Sequence, residues 1–379
     1  MKKKAILIGL VGVFLLFQPI HAQTWTASKR LTFTSDRSFY PAIAVDSNGH
    51  IHVVLDDETP GNREVYYKKS TDAGSTWTTK RLTYSSSSSR DAVVAIDSND
   101  YINVAWMDES PGNSEIYYKK STNGGVTWTT KRLTYNSGAS FSPAITVDSN
   151  DHIHLVLDDD SPLDSEIFYK RSTDGGATWT TKRLTYNSLN SLYPIIAVAS
   201  NNHLYVVWHQ FSPSETEIYL KRSTNGGVTW TTKRLTYNSG YSRYPAIAMD
   251  SNDHIHLVWD DDSPGNLEIY YKKSTDGGTN WTTKRLTDNS GGSKEPSIAV
   301  DSSNRIHVVW MDLTPVNYEI FYRKSTDGGA NWRNVKRLTW NSNHSEYPSV
   351  ATDSSDNIHV VWQDYTPGNL EIYYKKGTQ

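Results

Sequence analysis

Between residues 245 and 285, polar and apolar positions fall into four short runs. Pro245-Ala-Ile-Ala-Met-Asp250 leads to a Ser251-Asn252-Asp253 turn, and Ile255-His-Leu-Val-Trp259 leads to an acidic loop containing Pro264-Gly265-Asn266. Glu268-Ile-Tyr-Tyr-Lys-Lys273 follows, then a Gly-rich turn and Trp281-Thr-Thr-Lys-Arg-Leu-Thr287. The runs are rich in β-branched and aromatic residues, and clusters of Gly, Pro, Asn and Asp separate them, as in strands joined by turns. No helical period occurs along the chain, so the spacing predicts an all-β protein.

The unit is written seven times. Its closing tryptophans are Trp77, Trp128, Trp179, Trp230, Trp281 and Trp332, 51 residues apart, with Trp25 standing 52 residues before Trp77. The last copy stops at Gly377-Thr378-Gln379, where a Thr-Trp pair is due, and that pair stands instead at Thr24-Trp25. A unit left open at one terminus and completed at the other predicts a closed ring, since an open solenoid would need polar caps. Four strands in each of seven units predict a seven-bladed β-propeller of four-stranded antiparallel blades. The chain starts with a fourth-strand pattern (Trp25 to Phe33) and ends with a third (Glu371 to Lys376). The N-terminal strand is therefore expected to complete the last blade and close the ring.

Residues 1–22 read as a signal peptide: Lys2-Lys3-Lys4, an apolar run from Ala5 to Phe17, and Ala22 before the expected cut. The propeller is then residues 23–379, and removing 22 of 379 residues leaves 357, seven units of 51. The expected location is secreted, periplasmic or cell-surface. No other long apolar run suggests membrane insertion. The chain has no cysteine, which excludes a disulfide framework and thiol chemistry. A net charge of −3 argues against a nucleic-acid binder. Neither a zinc spacing nor a calcium loop is present, so no metal or cofactor is expected, and a monomer is the expected state.

The turn between the third and fourth runs carries a signature. Ser70-Thr-Asp72-Ala-Gly74-Ser-Thr76-Trp77 and Ser172-Thr-Asp174-Gly-Gly176-Ala-Thr178-Trp179 match the pattern Ser-x-Asp-x-Gly-x-Thr-Trp. The chain thereby resembles the sialidase-like propellers built from Asp-box, or BNR, repeats, over its whole length after residue 22. Asp72, Asn123, Asp174, Asn225, Asp276 and Asp327 hold the box position and read as structural: Asp or Asn accepts N–H groups of its own turn, Gly takes an awkward backbone angle, and Trp packs between sheets. The exchange of Asp for Asn suits a turn better than a cation site. The resemblance implies that the boxes lie on the face opposite an active site.

Because connections in antiparallel blades alternate between faces, the boxes share one face with the first-to-second turns (Asp46-Ser-Asn-Gly and its copies). The other, upper face is where the copies diverge, from Ser35-Asp-Arg-Ser-Phe-Tyr40 to Asn343-His-Ser-Glu-Tyr347. Variation on one face fits a recognition surface on a fixed scaffold, and equally fits drift in exposed loops. The second strands end there in acidic residues, among them Asp57, Asp108, Asp159, Asp261, Asp312 and Asp364, while blade four has His209-Gln210-Phe211. Tyr40, Tyr193, Tyr244 and Tyr347 occupy equivalent places on this face, three of them followed by Pro and Tyr40 by Pro41 as well. Together with His209 and Phe211 these carboxylates and rings are candidates to bind a neutral sugar. The alternatives are that the rings seal adjacent blades and that the carboxylates meet a cation or a basic partner. The Lys-Arg pairs of the outer strands keep sheet edges soluble, with Glu64, Glu115 and Glu268 near enough to pair with them.

The resemblance raises sialidase chemistry: three arginines clamping a substrate carboxylate, a tyrosine nucleophile activated by glutamate, and an aspartate acid/base. Asp36-Arg37-Ser38-Phe39-Tyr40-Pro41 lacks the family's arginine motif, leaving Arg37, Arg63, Arg90 and Arg243 as catalytic candidates. Nearly interchangeable blades, an acidic mouth and seven units where the family usually has six weigh against turnover. The reading is an exported, non-catalytic propeller binding a glycan or a surface protein. A sialidase-like exo-glycoside hydrolase and a structural envelope scaffold remain as alternatives.

Overall fold

In this computed structural model, which describes residues 23–378 except 162, 213 and 315, each unit forms one antiparallel sheet. Blade one is Ser38–Val45, Ile51–Asp57, Glu64–Ser70 and Thr78–Arg81, from the channel outward. Blades two to six repeat that order, and neighbouring innermost strands touch in a closed cycle from blade one round to blade seven. The fold is a seven-bladed β-propeller.

Second strands are buried along their length because both faces meet a neighbour. Val53 and Leu55 pack against Val361, Ile372 and Tyr374 of blade seven, while Val54 packs against Ile102, Val104 and Trp106 of blade two. That two-sided burial is why these strands read as nearly unbroken apolar runs. Outer strands such as Thr78–Arg81 are short and largely exposed, yet Arg81 reaches back to the buried Glu64 at 2.9 Å and stacks over Tyr84. Six other blades make the corresponding Arg–Glu pair, including Arg132–Glu115 and Arg285–Glu268.

Ring closure is as the sequence implies. Thr24 and Trp25 pair with Thr378 and Gly377, and Lys29 and Arg30 pair with Tyr374 and Tyr373. Trp25 packs edge-on against Tyr322 of blade six at 5.0 Å, the contact that Trp77 makes with Tyr374 and Trp128 with Tyr67. The units are not identical, however. The first serines of successive innermost strands are 51 residues apart up to Ser293, then 52 to Ser345. An extra residue before Lys336-Arg337 lengthens unit six, and the chain ends fall where the box turn of unit seven would be. The seven units of 51 are therefore a compensated total. The expected signal peptide, residues 1–22, lies outside the described residues.

In the box of blade one, Asp72 Oδ1 accepts the Thr76 N–H at 2.7 Å and Asp72 Oδ2 the Thr76 hydroxyl at 2.6 Å. Ser70 Oγ accepts the Gly74 N–H, and Trp77 Nε1 donates to Gly74 O at 3.1 Å. Gly74 is at φ 91°, with the Tyr374 ring lying where a Cβ would be. Asn123 and Asn225 make the same Oδ1 contacts, to Thr127 and Thr229. Asp174, Asp276 and Asp327 do so with Thr178, Asn280 and Asn331. Hydrogen bonds within the turn hold the exposed Asp72, Asp174, Asp276 and Asp327 carboxyls down to about 2.

Above the boxes, a buried histidine links three elements in five blades. His154 Nδ1 meets Tyr169 Oη at 2.7 Å and His154 Nε2 meets Asp148 Oδ2 at 3.2 Å. The same arrangement holds around His52, His256, His307 and His359. Blade four replaces all three partners at once, with Ala199, Tyr205 and Leu220 packed in one apolar cluster.

Candidate functional site: the mouth of the central channel

Every innermost strand is interrupted at the same place. Pairing with the second strand slips between Phe39 and Ala42, and at the corresponding positions of the other blades. Within each slip one residue takes a left-handed backbone: Tyr40 (φ 44°), Asp91 (56°), Ser142 (49°), Tyr193 (51°), Tyr244 (49°), Glu295 (52°) and Tyr347 (51°). Such an angle in a non-glycine residue costs about 1–3 kcal/mol, and the proline that follows in six blades further restricts it. A bulge of this kind re-aims a side chain, here into the channel.

At five of the seven bulges the preceding blade supplies an acceptor for the strained residue's N–H. The N–H of Asp91 donates to Asp56 Oδ2 at 3.0 Å, that of Tyr193 to Asp158 Oδ1 at 3.3 Å, and that of Glu295 to Asp260 Oδ2 at 3.3 Å. Gln363 and His209 accept the N–H groups of Tyr40 and Tyr244. Each acceptor is the penultimate residue of its second strand or, in blade four, its positional equivalent. Met107 and Met311 occupy that position in blades two and six.

The seven bulge residues line a cavity of about 460 Å³, within the range of small-molecule sites. Blade order fixes its plan. Tyr347 and Tyr40, of blades seven and one, meet edge-to-face at 4.9 Å; Tyr193 and Tyr244, of blades four and five, meet at 5.1 Å. Asp91 and Ser142 separate the two pairs on one side, Glu295 on the other. His209 lies beneath the second pair, 5.3 Å from the Tyr193 ring and 5.6 Å from that of Tyr244.

Burial sets the protonation of this mouth. It pushes the Asp158 and Asp260 carboxyls up to about 7, and pushes Asp56 well above the carboxylate range with help from Asp91. Burial and the Asp260 charge raise Glu295 to about 8, and burial also raises Asp91. His209, buried and close to Arg243, is pushed down to about 3 and is neutral. The four tyrosines are all raised by burial.

Tyr40, Tyr193, Tyr244, Tyr347 and His209 therefore come together at one site. The second-strand aspartates do not join them, which corrects the sequence reading. Asp57, Asp108, Asp159, Asp261, Asp312 and Asp364 are at most 5% exposed. Asp57 accepts the Ser38 hydroxyl at 2.7 Å and the Thr59 N–H at 2.9 Å, and the other five hold the same serine and loop N–H. They cap loops and are not open to a ligand. Phe211 is 42% exposed but pairs with Asn190 and Thr216, away from the channel lining.

The arginines form no triad. Arg37 and Arg63 share Glu58 at 3.0 and 3.2 Å, Arg63 lies 3.9 Å over the Phe39 ring, and Arg90 pairs with Glu109 at 2.5 Å. Arg243 stands 3.7 Å from Asp260. Missed in the sequence were Asp91, Ser142 and Glu295 as members of the tyrosine register, and Asp56, Asp158 and Asp260 beneath them. Strand alternation was the available signal: of two adjacent carboxylates only one faces the next blade.

A closed ring of seven blades, six of them carrying an Asp box among the described residues, with one decorated mouth defines an Asp-box β-propeller. A family model described as a BNR repeat-like domain matches residues 10–257, and the chain belongs to that family. No curated protein matches it in sequence. Among solved structures, it is similar to a protein of unknown function from Dyadobacter fermentans, at 15% identity, with 95% of this chain and 100% of that one covered and a TM-score of 0.57. It is also similar to the polysaccharide lyase ulvan lyase (11% identity, 91% and 95% covered, TM-score 0.64) and to the Hadza microbial sialidase Hz136 (14%, 86% and 73%, 0.53). At these identities the likeness is one of fold.

Proposed function

We propose that the protein is an exported propeller that binds a saccharide in the mouth of its central channel without turning it over. The observation that carries this reading is the two tyrosine pairs facing each other across the cavity. Tyr193 is 47% exposed, so its ring face is open to stacking, and phenol and carboxyl groups at the rim offer hydrogen bonds to hydroxyls. The fold is shared with a sialidase and with a lyase bound to a uronic-acid-containing glycan, which supports a saccharide as the ligand class. A glycan array with the purified protein tests it. Enrichment on a defined sugar is expected, with at least a tenfold loss for Tyr40→Ala and Tyr193→Ala variants whose melting is unchanged. No enrichment on any sugar would remove the reading.

One observation favours hydrolysis instead. Glu295 interacts electrostatically with both Tyr244 and Tyr347, and Asp91 lines the same cavity, so the residue types of a tyrosine-nucleophile glycosidase are present. Against it, burial raises those tyrosines, and the arginines that would hold a substrate carboxylate are paired. Release of a chromophore from a sialoside, abolished by Tyr244→Phe, would replace binding by catalysis.

A further inference from the structure

Among the described residues Asp91 and Glu295 hydrogen-bond through their backbone N–H groups, and their carboxyls make no hydrogen bond or ion pair, although both residues line the cavity. Each is desolvated at one side of a slot whose other walls are tyrosine rings. The nearby cations are engaged elsewhere: Lys294 over the Tyr318 ring at 5.4 Å, Arg243 toward Asp260 and Tyr241, Arg90 on Glu109, and Arg63 on Glu58. Through space Lys294 and Arg243 still lower Glu295, and Arg90 and Arg63 lower Asp91; Asp260 and Glu346 oppose them at Glu295, as Glu109 and the coupled Asp56 do at Asp91.

A neutral sugar would meet these carboxyls in their protonated form and gain hydrogen bonds, but it supplies no countercharge. An anionic sugar would be repelled. A divalent cation needs a convergent set of oxygens, and among the described residues no three acidic or histidine side chains gather in that way. A primary ammonium on a sugar ring meets every requirement at once: a charge-assisted hydrogen bond to a carboxylate, aromatic faces within cation–π reach, and a ring body to stack.

We propose that the mouth selects an amino sugar with a free ammonium, seated on Glu295 between Tyr244 and Tyr347, with Asp91 receiving a second amine of an oligomer. The inference rests on the saccharide-binding reading above. Burial raises both carboxyls, Glu295 to about 8, so an arriving cation draws Glu295 into the ionised form and binding near neutral pH releases its proton.

Titration calorimetry with three probes decides it: a glucosamine tetramer, an N-acetylglucosamine tetramer and sialyllactose. The glucosamine tetramer is expected to bind at least tenfold more tightly than either of the others. Its apparent enthalpy should change with the buffer's ionisation enthalpy in the sense of proton release. Glu295→Gln should cost at least tenfold and Asp91→Asn several-fold, with folding checked by thermal melting, while Asp288→Asn on the exposed outer rim should cost nothing. Equal loss on Asp288→Asn would reveal non-specific attraction of a polycation and overturn the proposal. Preference for the acetylated tetramer or sialyllactose, lost on Tyr193→Ala, would overturn the amine selectivity while leaving saccharide binding intact. Binding of none of the three would overturn the amine proposal, with the broader glycan array deciding the saccharide reading separately.

Discussion

At the scale of single residues, the mouth is built from carboxyl groups that folding makes reluctant to ionise. Asp158 is 2% exposed and its pKa is pushed up to about 7, against about 3.9 in an unfolded chain. A group raised in the folded state contributes its stability fully below the unfolded value, and that contribution is lost as pH rises through the folded one. Asp158→Asn keeps an oxygen to accept the Tyr193 N–H but carries no charge. The variant is expected to melt near the wild-type temperature below about pH 4. Its advantage should grow between about pH 4 and 7 and then level, at roughly 2–4 kcal/mol. A difference that stays constant from pH 4 to 8 would mean that Asp158 is not held protonated. The sequence shows Asp158-Asp159-Asp160 as one acidic run. It does not show that Asp158 meets the next blade, Asp159 caps a loop, and Asp160 hydrogen-bonds the N–H of Ala139. Those three fates depend on which strand packs against each face.

At the scale of elements, strands and turns were legible because their chemistry is local: the box needs Ser, Asp or Asn, Gly and Trp at fixed offsets. The bulge in the innermost strand was not. A left-handed tyrosine before proline contradicts local preference; an acceptor in the neighbouring blade meets the N–H of Tyr40, Tyr193 and Tyr244, while Tyr347 takes the same angle with Met311 in that position. The Asp–His–Tyr link lies between these cases: its members are separated in sequence, blade four replaces all three, and blade two replaces only the histidine, with Asn103 accepting from Tyr118. Blade four offers a natural replacement, Ala199-Tyr205-Leu220, packed against Trp281. In blade three, Asp148→Ala alone strands the His154 Nε2 atom, and a loss of about 1–3 kcal/mol is expected. Adding His154→Tyr and Tyr169→Leu should bring stability back to within about 1 kcal/mol of the wild type, a coupling that separate sites would not show. Arg171 already stands where Arg222 lies over Tyr205 in blade four, so the transplanted ring has its neighbour. Chemical denaturation of the single and triple variants measures this directly, and additive losses would show that the three residues act independently.

At the scale of the molecule, seven sheets become one body only if the last is finished by the first residues of the described chain. The repeat made that closure visible in the sequence, because Thr24-Trp25 is the missing end of unit seven. The total of seven times 51 gave no hint that unit six is longer and that unit seven lacks its box turn. What the N-terminal segment supplies can be itemised from contacts. Trp25 fills the space beside Tyr322, Leu31 is buried with Val361 and Ile372, and Arg30 neutralises the fully buried Glu371 at 2.6 Å. Deleting residues 23–33 would remove all three and bare the edge of Glu371–Thr378. An unpaired buried carboxylate alone costs about 3–5 kcal/mol. With the lost apolar contacts, the total approaches the ~5–15 kcal/mol by which a typical domain is stable. The truncated protein is therefore expected to unfold near ambient temperature or to associate through the open edge, detectable by scanning calorimetry and light scattering. Trp25→Ala, which leaves the strand pairing in place, should cost only on the order of 2–4 kcal/mol and remain dispersed. If the deletion melted no lower than the point variant, the ring would be held by inter-blade packing alone, and the terminal strand would be an ornament to a structure already closed.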